Sequence, residues 1–172
     1  MAYDIKQVIV IQKNLNMRKG KMCAQAAHAS MKVFFDRMNF EEGQPMNVHR
    51  WDCAFTKEML EWMNSSFAKI VVSVNSEAEL LALRDQVEKA GIVHALILDN
   101  GNTEFKLECT KCHGGGINLE SLNKAQTLYD EVDICKECNG TGRINKPTYT
   151  CLAIGPDKTE VIDVFTRELP LI

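Results

Sequence analysis

An α/β sandwich carrying a small folded insert is the fold class this sequence predicts, and three observations predict it. Short β-branched runs alternate with helical stretches along most of the chain. The gap between the third and fourth strand runs is too long for a plain loop in a compact domain. That gap contains Cys109-Thr-Lys-Cys112-His-Gly-Gly-Gly116 and Cys135-Lys-Glu-Cys138-Asn-Gly-Thr-Gly142, two CxxCxGxG elements whose CxxC pairs are separated by 22 residues.

Taken in order, Lys6 to Ile11 is continuous and β-branched, the pattern of a buried strand. Asn14 to Met17 reads as a turn. Lys19 to about Arg37 is rich in Ala and Met and reads as a long helix. Gly43 and Pro45 mark residues 39–50 as a loop. Thr56 is placed to cap a short helix ending at Met63. Lys69 to Val74 is a second buried strand. Ser76 with Glu79 spells a capping box for a helix to Ala90, where Gly91 ends it. His94 to Leu98 is a third strand, closed by Asp99-Asn-Gly101. Thr148 to Ile154 is a fourth, with Gly155-Pro156 after it and a helix expected from Asp157.

In the gap, each CxxC pair turns two sulfurs toward one ion, and the trailing glycines let backbone N–H groups face the thiolates. Cys109, Cys112, Cys135 and Cys138 thus supply the four ligands of a structural zinc site. A thiol redox pair is the competing reading. His113 is expected to be a solvated loop residue. Leu119, Leu122, Ala125, Leu128, Tyr129 and Val132 keep a helical period between the hooks, with Asn118 or Ser121 as N-cap. So short a segment has little core of its own, and the ion is expected to supply much of its folding energy.

The chain has 172 residues, 45% of them hydrophobic, enough for one domain plus an insert. The expected division is residues 1–105 with 146–172 as the main domain and 106–145 as the insert. No apolar run reaches the length of a membrane span, and the start lacks the apolar stretch of a signal peptide. Seven cysteines in such a chain point to a reducing, cytoplasmic setting. Cys23, Cys53 and Cys151 are expected to be small buried hydrophobes. Net charge is −3, yet residues 1–40 hold seven Lys/Arg against two Asp/Glu. That basic end is either a solvated helix face or a phosphate-binding surface.

On the first helix, Lys21, Gln25, His28 and Lys32 fall on one face and Met22, Ala26, Ala29 and Val33 on another. Arg18 and Lys19 join Lys21 at the helix start, where N–H groups and the dipole already favour anions. An ordinary amphipathic helix with a charged face is the plainer alternative, and an inward-tilting Gln and His between the lysines weigh against it. Ligands of open α/β sheets bind at the carboxyl ends of the strands. If the fourth strand runs antiparallel to the third, Lys21, His28, Asp99, Thr103, Thr148 and Thr150 gather at that edge. Lone Asp and Thr residues at strand ends are usually turn formers, so their convergence is the signal.

These residues carry a resemblance. Arg18-Lys-Gly-Lys-Met-Cys-Ala-Gln-Ala-Ala-His-Ala-Ser30, Asp99-Asn-Gly-Asn-Thr-Glu104 and Thr150-Cys-Leu-Ala-Ile-Gly-Pro156 resemble motifs of the type 2 (archaeal and eukaryotic type) peptidyl-tRNA hydrolases. Phe67-Ala-Lys-Ile-Val-Val-Ser-Val, Ile162-Asp163 and Leu169-Pro-Leu171 fit as well. The match covers nearly everything except about 40–55 and 106–145, and the hooks resemble the cysteine-rich domain of DnaJ. The resemblance implies a three-layer α/β/α sandwich with a mixed four-stranded sheet, a homodimer, and hydrolysis of the ester joining peptide to tRNA. It places the family's active-site residues on Lys21, Gln25, His28, Asp99, Thr103 and Thr150. Arg18, Lys19, Lys32 and Thr148 would bind substrate alongside Gln25. The sequence departs from the family at Asn100, at Arg167 and in the insert of about 40 residues.

No Ser or Cys sits in a nucleophile motif such as GxSxG, so direct attack by water is expected. Asp99 would orient or deprotonate it with His28, Lys21 would bind phosphate or stabilise developing charge, and Thr103 and Thr150 would fix the substrate. Four sulfurs leave no open metal position, so the zinc is structural, and no organic cofactor is expected. The insert could serve as a lid or tRNA contact, as a docking surface for another protein or RNA, or as a stabiliser. The alternative to an enzyme is a non-catalytic RNA-binding or adaptor protein built on the same fold. A hydrolase whose metal site responds to oxidation is a third option.

Overall fold

A computed structural model describes residues 4–39, 52–125 and 131–172. In chain order its strands are β1 (Ile5–Gln12), β2 (Met38–Asn39), β3 (Asp52–Cys53), β4 (Lys69–Val74), β5 (His94–Asp99), β6 (Lys106–Glu108), β7 (Arg143–Asn145) and β8 (Thr148–Lys158). Its helices are α1 (Lys19–Phe35), α2 (Lys57–Met63), α3 (Glu77–Lys89), α4 (Leu119–Lys124) and α5 (Thr159–Thr166). The chain forms two compact units, one of residues 1–98 with 149–172 and one of residues 99–148.

In the first unit a four-stranded sheet has the order β4-β1-β8-β5. β1 runs parallel to β4 from Gln7↔Lys69 to Gln12↔Val74 and antiparallel to β8 from Ile5↔Lys158 to Ile11↔Cys151. β5 is antiparallel to β8: Gly155 N donates to Val93 O at 2.7 Å, while Thr150 lies against Ile97 O. The sheet is therefore mixed, and the carboxyl ends of β1, β4 and β5 share an edge with the start of β8.

The continuous β-branched character of β1 reflects burial on both faces. Val8 and Val10 join Leu80, Leu83 and Val87 of α3 and Ile162 of α5 in one core cluster. On the other face Gln7 accepts a hydrogen bond from Ser30 Oγ of α1 at 2.6 Å. Alternation along the strand puts Ile9 and Ile11 on that second face, both buried. Helices thus cover both faces, the three-layer arrangement the sequence predicts.

The local signals hold in detail. Thr56 accepts from Met59 N at the start of α2, and Ser76 Oγ accepts from Glu79 N at 3.1 Å. Glu79 reaches back to Asn75 N at 2.8 Å, one residue earlier than in the usual box. Gly91, at φ 69°, follows α3 as expected.

Four expectations need correction. β8 continues through Gly155-Pro156 to Lys158, and α5 begins at Thr159 instead of Asp157. Beyond a register shift, pairing of Lys6 with Asp157 and Ile5 with Lys158 keeps those residues in the sheet. The helix between the hooks stops at Lys124, because Asn118 N bonds Asp133 O and an Ile117↔Ile134 bridge brings the returning chain alongside. Asn118 is its cap, while Ser121 Oγ accepts from Asp133 N. Leu128 and Tyr129 lie outside the described residues, as does most of the expected loop over 39–50. Cys23 is exposed, since it falls on the outer side of α1; Cys151 is buried as expected. His28 is likewise exposed, not tilted inward, because the buried stripe of α1 is Gln25, Ala29, Ser30, Val33 and Phe34.

Candidate active site and metal centre

The first unit holds one part of the motif set. α1 starts at Lys19 with Arg18 as N-cap, no side-chain cap bond and no acidic residue in its first turn. Its dipole and N–H groups, with Arg18, Lys19 and Lys21 around them, favour an anion. One turn on, Gln25 is buried, and fully buried Thr150 donates to its Oε1 at 2.7 Å. The neighbouring Cys151 Sγ lies 3.1 Å from Gln25 O. Burial pushes the Cys151 thiol up to about 12, so it stays protonated and can donate there. Gln25 is thereby held at both its side chain and its backbone by the start of β8. Lys32 is exposed and bridges Asp36 at 2.7 Å.

Farther along α1 and β8 runs a second buried polar chain that sequence reasoning missed. Ser30 Oγ donates to Gln7 Oε1, and Gln7 Nε2 donates to Gly155 O at 3.2 Å. The available signal was a glutamine in the middle of an apolar strand.

The second unit holds the rest. Asp99 is half-buried, and its Oδ1 accepts from Gly101 N at 2.9 Å. Gly101 has φ 74°, and a Cβ there would stand 2.8 Å from both N and O of Lys146. Only glycine fits that turn. Asn145 Nδ2 donates to Asn102 Oδ1 at 2.7 Å, another pair not read from the sequence. Thr103 is exposed; Thr148 is buried and donates to Lys146 O at 2.9 Å.

Further along the same unit, the two hooks are copies related by an approximate two-fold. Cys109 N donates to Gly142 O at 2.9 Å, and Cys135 N donates to Gly116 O at 2.8 Å. Gly116 N points at Cys112 Sγ at 3.2 Å and Gly142 N at Cys138 Sγ at 3.3 Å. A Cβ on Gly116 would come within 2.3 Å of Gly140 O, and one on Gly142 within 2.0 Å of Gly114 O. The glycines therefore serve both the sulfurs and the close approach of the hooks. All four cysteines are buried, and their sulfurs lie within 4.8 Å of one another. The pairs Cys109–Cys135 and Cys112–Cys138 are 3.9 and 3.7 Å apart, too far for disulfides. Four thiolates at about 2.3 Å around a tetrahedral ion stand about 3.8 Å apart, so the cluster fits a metal ion. His113 is exposed and outside the cluster.

Comparison with known proteins matches the family pattern "Peptidyl-tRNA hydrolase PTH2" over residues 5–124. A peptidyl-tRNA hydrolase of Methanothermobacter thermautotrophicus is 30% identical over 168 residues, covering 98% of this chain and all of that protein. One from Haloquadratum walsbyi is 29% identical over 167 residues, covering 97% and 99%. A probable peptidyl-tRNA hydrolase 2 of Dictyostelium discoideum is 35% identical over 102 residues, 59% of this chain and 42% of that protein. The pattern spans α1, the strands β1, β4 and β5 and the turn after Asp99, with β8 beyond it, and the chain belongs to the peptidyl-tRNA hydrolase PTH2 family.

Proposed function

We propose that this chain hydrolyses the ester between peptide and tRNA by direct attack of water, releasing free tRNA. The observation that carries the reading is the buried Thr150–Gln25 bond, which ties together two family motifs 125 residues apart. It lies at the sheet edge where α/β folds take their ligands, one helical turn from the cationic start of α1.

In this reading Arg18, Lys19 and Lys21 hold the terminal phosphate or neutralise charge developing on the carbonyl oxygen. Asp99, with His28, orients the water and takes its proton as the new C–O bond forms. The carbonyl carbon's bond to the ribose oxygen then breaks, and that oxygen takes up the proton drawn from the water. Gln25 aligns the substrate, and Thr150 acts through Gln25, because its own hydroxyl is buried and engaged. Thr103 and Thr148 complete the substrate contacts. The four cysteines bind one zinc ion, which is structural because no coordination position stays open to water. The protein works as a homodimer in the cytoplasm, consistent with a translation-linked substrate. Among the described residues no helix is long and apolar enough to cross a membrane.

The test is turnover of a defined peptidyl-tRNA by the zinc-loaded chain and by Gln25→Ala and Thr150→Val. Both variants should bind tRNA and turn over slowly. Wild-type rates in both would remove the role given to this pair.

A further inference from the structure

The metal centre is tied by an unbroken strand ladder to the turn that carries Asp99. Cys109, a metal ligand, bonds through its backbone N to Gly142 O. The next pairs are Glu108↔Arg143, Leu107↔Ile144 and Lys106↔Asn145, and then Lys146 N donates to Phe105 O at 2.8 Å. The register is constant from the first of these pairs to the last. Where the ladder ends, two contacts grip the turn over residues 99–103. Asn145 donates to Asn102, and Gly101 is seated against the Lys146 peptide. The turn is closed by Gly101 N on Asp99 Oδ1.

Among the described residues this ladder is little buried. β6 is exposed along its length, and β7 is exposed at both ends with Ile144 half-buried. Among the described residues the apolar packing around the hooks is the four cysteines with Ile144. A two-stranded ribbon of this length is marginal in water. The sulfurs and their ion are therefore what fixes one end of it.

We infer that the metal centre is a positioning device for the reaction: through β6, β7 and the Asn145–Asn102 bond it sets the conformation of the turn carrying Asp99 and Thr103. The inference rests on the proposed role of those two residues. It assigns Asn145 and Asn102 as positioning residues, and it gives a catalytically closed metal site a direct effect on turnover. A misplacement of about 1 Å in such a group can cost about a hundredfold in rate.

The experiment uses the full chain, loaded with zinc or stripped by a strong chelator. Amide exchange is read at Gly101, at Lys146 and along β1, and kcat and KM are measured on a defined peptidyl-tRNA. Stripping should speed exchange at Gly101 and Lys146 by about tenfold or more and leave β1 protected. It should lower kcat about a hundredfold with KM changed less than about twofold, because the basic start of α1 belongs to the other unit. Asn145→Ala covers the case in which stripped protein aggregates. It should keep one zinc per chain and still lose kcat, and Asn145→Gln, which keeps the amide donor, should recover part of it. Unchanged exchange at Gly101 and Lys146 after stripping overturns the mechanical link. Loosened amides with undiminished kcat, or Asn145→Ala at wild-type kcat, overturn its bearing on the reaction. Zinc-loaded Asp99→Ala at wild-type turnover is a separate failure, that of the Asp99 assignment itself.

Discussion

Gln25 and Thr150 illustrate how a buried polar pair is specified. Gln25 sits on the stripe of α1 that otherwise carries Ala29 and Val33, and it is tolerated there because Thr150 donates to it. Thr150→Val keeps the shape and removes the donor. It should cost about 1–3 kcal/mol, read as a lowered denaturation midpoint, and reduce turnover as Gln25 loses its fixed orientation. Cys23 and Cys151 make a second contrast. Iodoacetamide should modify exposed Cys23 in the native protein and spare Cys151, whose thiol burial holds at about 12. A thiol raised in the folded state above its ordinary value near 9 contributes stability that is complete below that value and is lost as pH rises toward 12. Wild type should therefore match its pH 8 stability relative to Cys151→Ala up to about pH 9 and lose it progressively from pH 9 toward 12, measured by urea unfolding. The clustering of the four cysteines was legible because each hook is a short motif of fixed spacing. Exposure of His28 and Cys23 was not, since a helical face read from spacing alone does not say how far the sheet wraps around it.

Elements were legible where their signals are local. Thr56 and Ser76 mark the starts of α2 and α3, and Gly91 follows the end of α3, through bonds and dihedrals set within four residues. Ser76→Ala should lower stability by about 1 kcal/mol, measurable as a shift in thermal midpoint. The extent of β8 was not local: its last residues are strand because Ile5 and Lys6 pair with them across the chain. β6 and β7 escaped notice for a similar reason. Three-residue strands with alternating Lys, Glu, Arg and Asn carry no hydrophobic period, and their order comes from the hooks they adjoin. The helix between the hooks was overextended because its apolar spacing continues past the point where the chain must return to Ile134.

At the scale of the molecule, the two units draw stability from different sources. The first has a two-faced sheet with cores of Val, Leu and Ile. Among its described residues the second has a cluster of four cysteines with a half-buried isoleucine. A structural zinc ion contributes about 10–16 kcal/mol in small peptide sites, more than the net stability of many domains. Native mass spectrometry should find one zinc per chain, and Cys138→Ala should abolish it. The mixed sheet and its enclosing helices were legible from alternating strand and helix signals, and the family motifs supplied the strand direction that hydrophobic patterning leaves open. The proposed hydrolysis requires both the cationic start of α1 and the Asp99 carboxylate. The decisive measurement is turnover of a defined peptidyl-tRNA by zinc-loaded Lys21→Ala and Asp99→Ala. Each should fall about a hundredfold or more while the protein stays folded; wild-type turnover in both would contradict it.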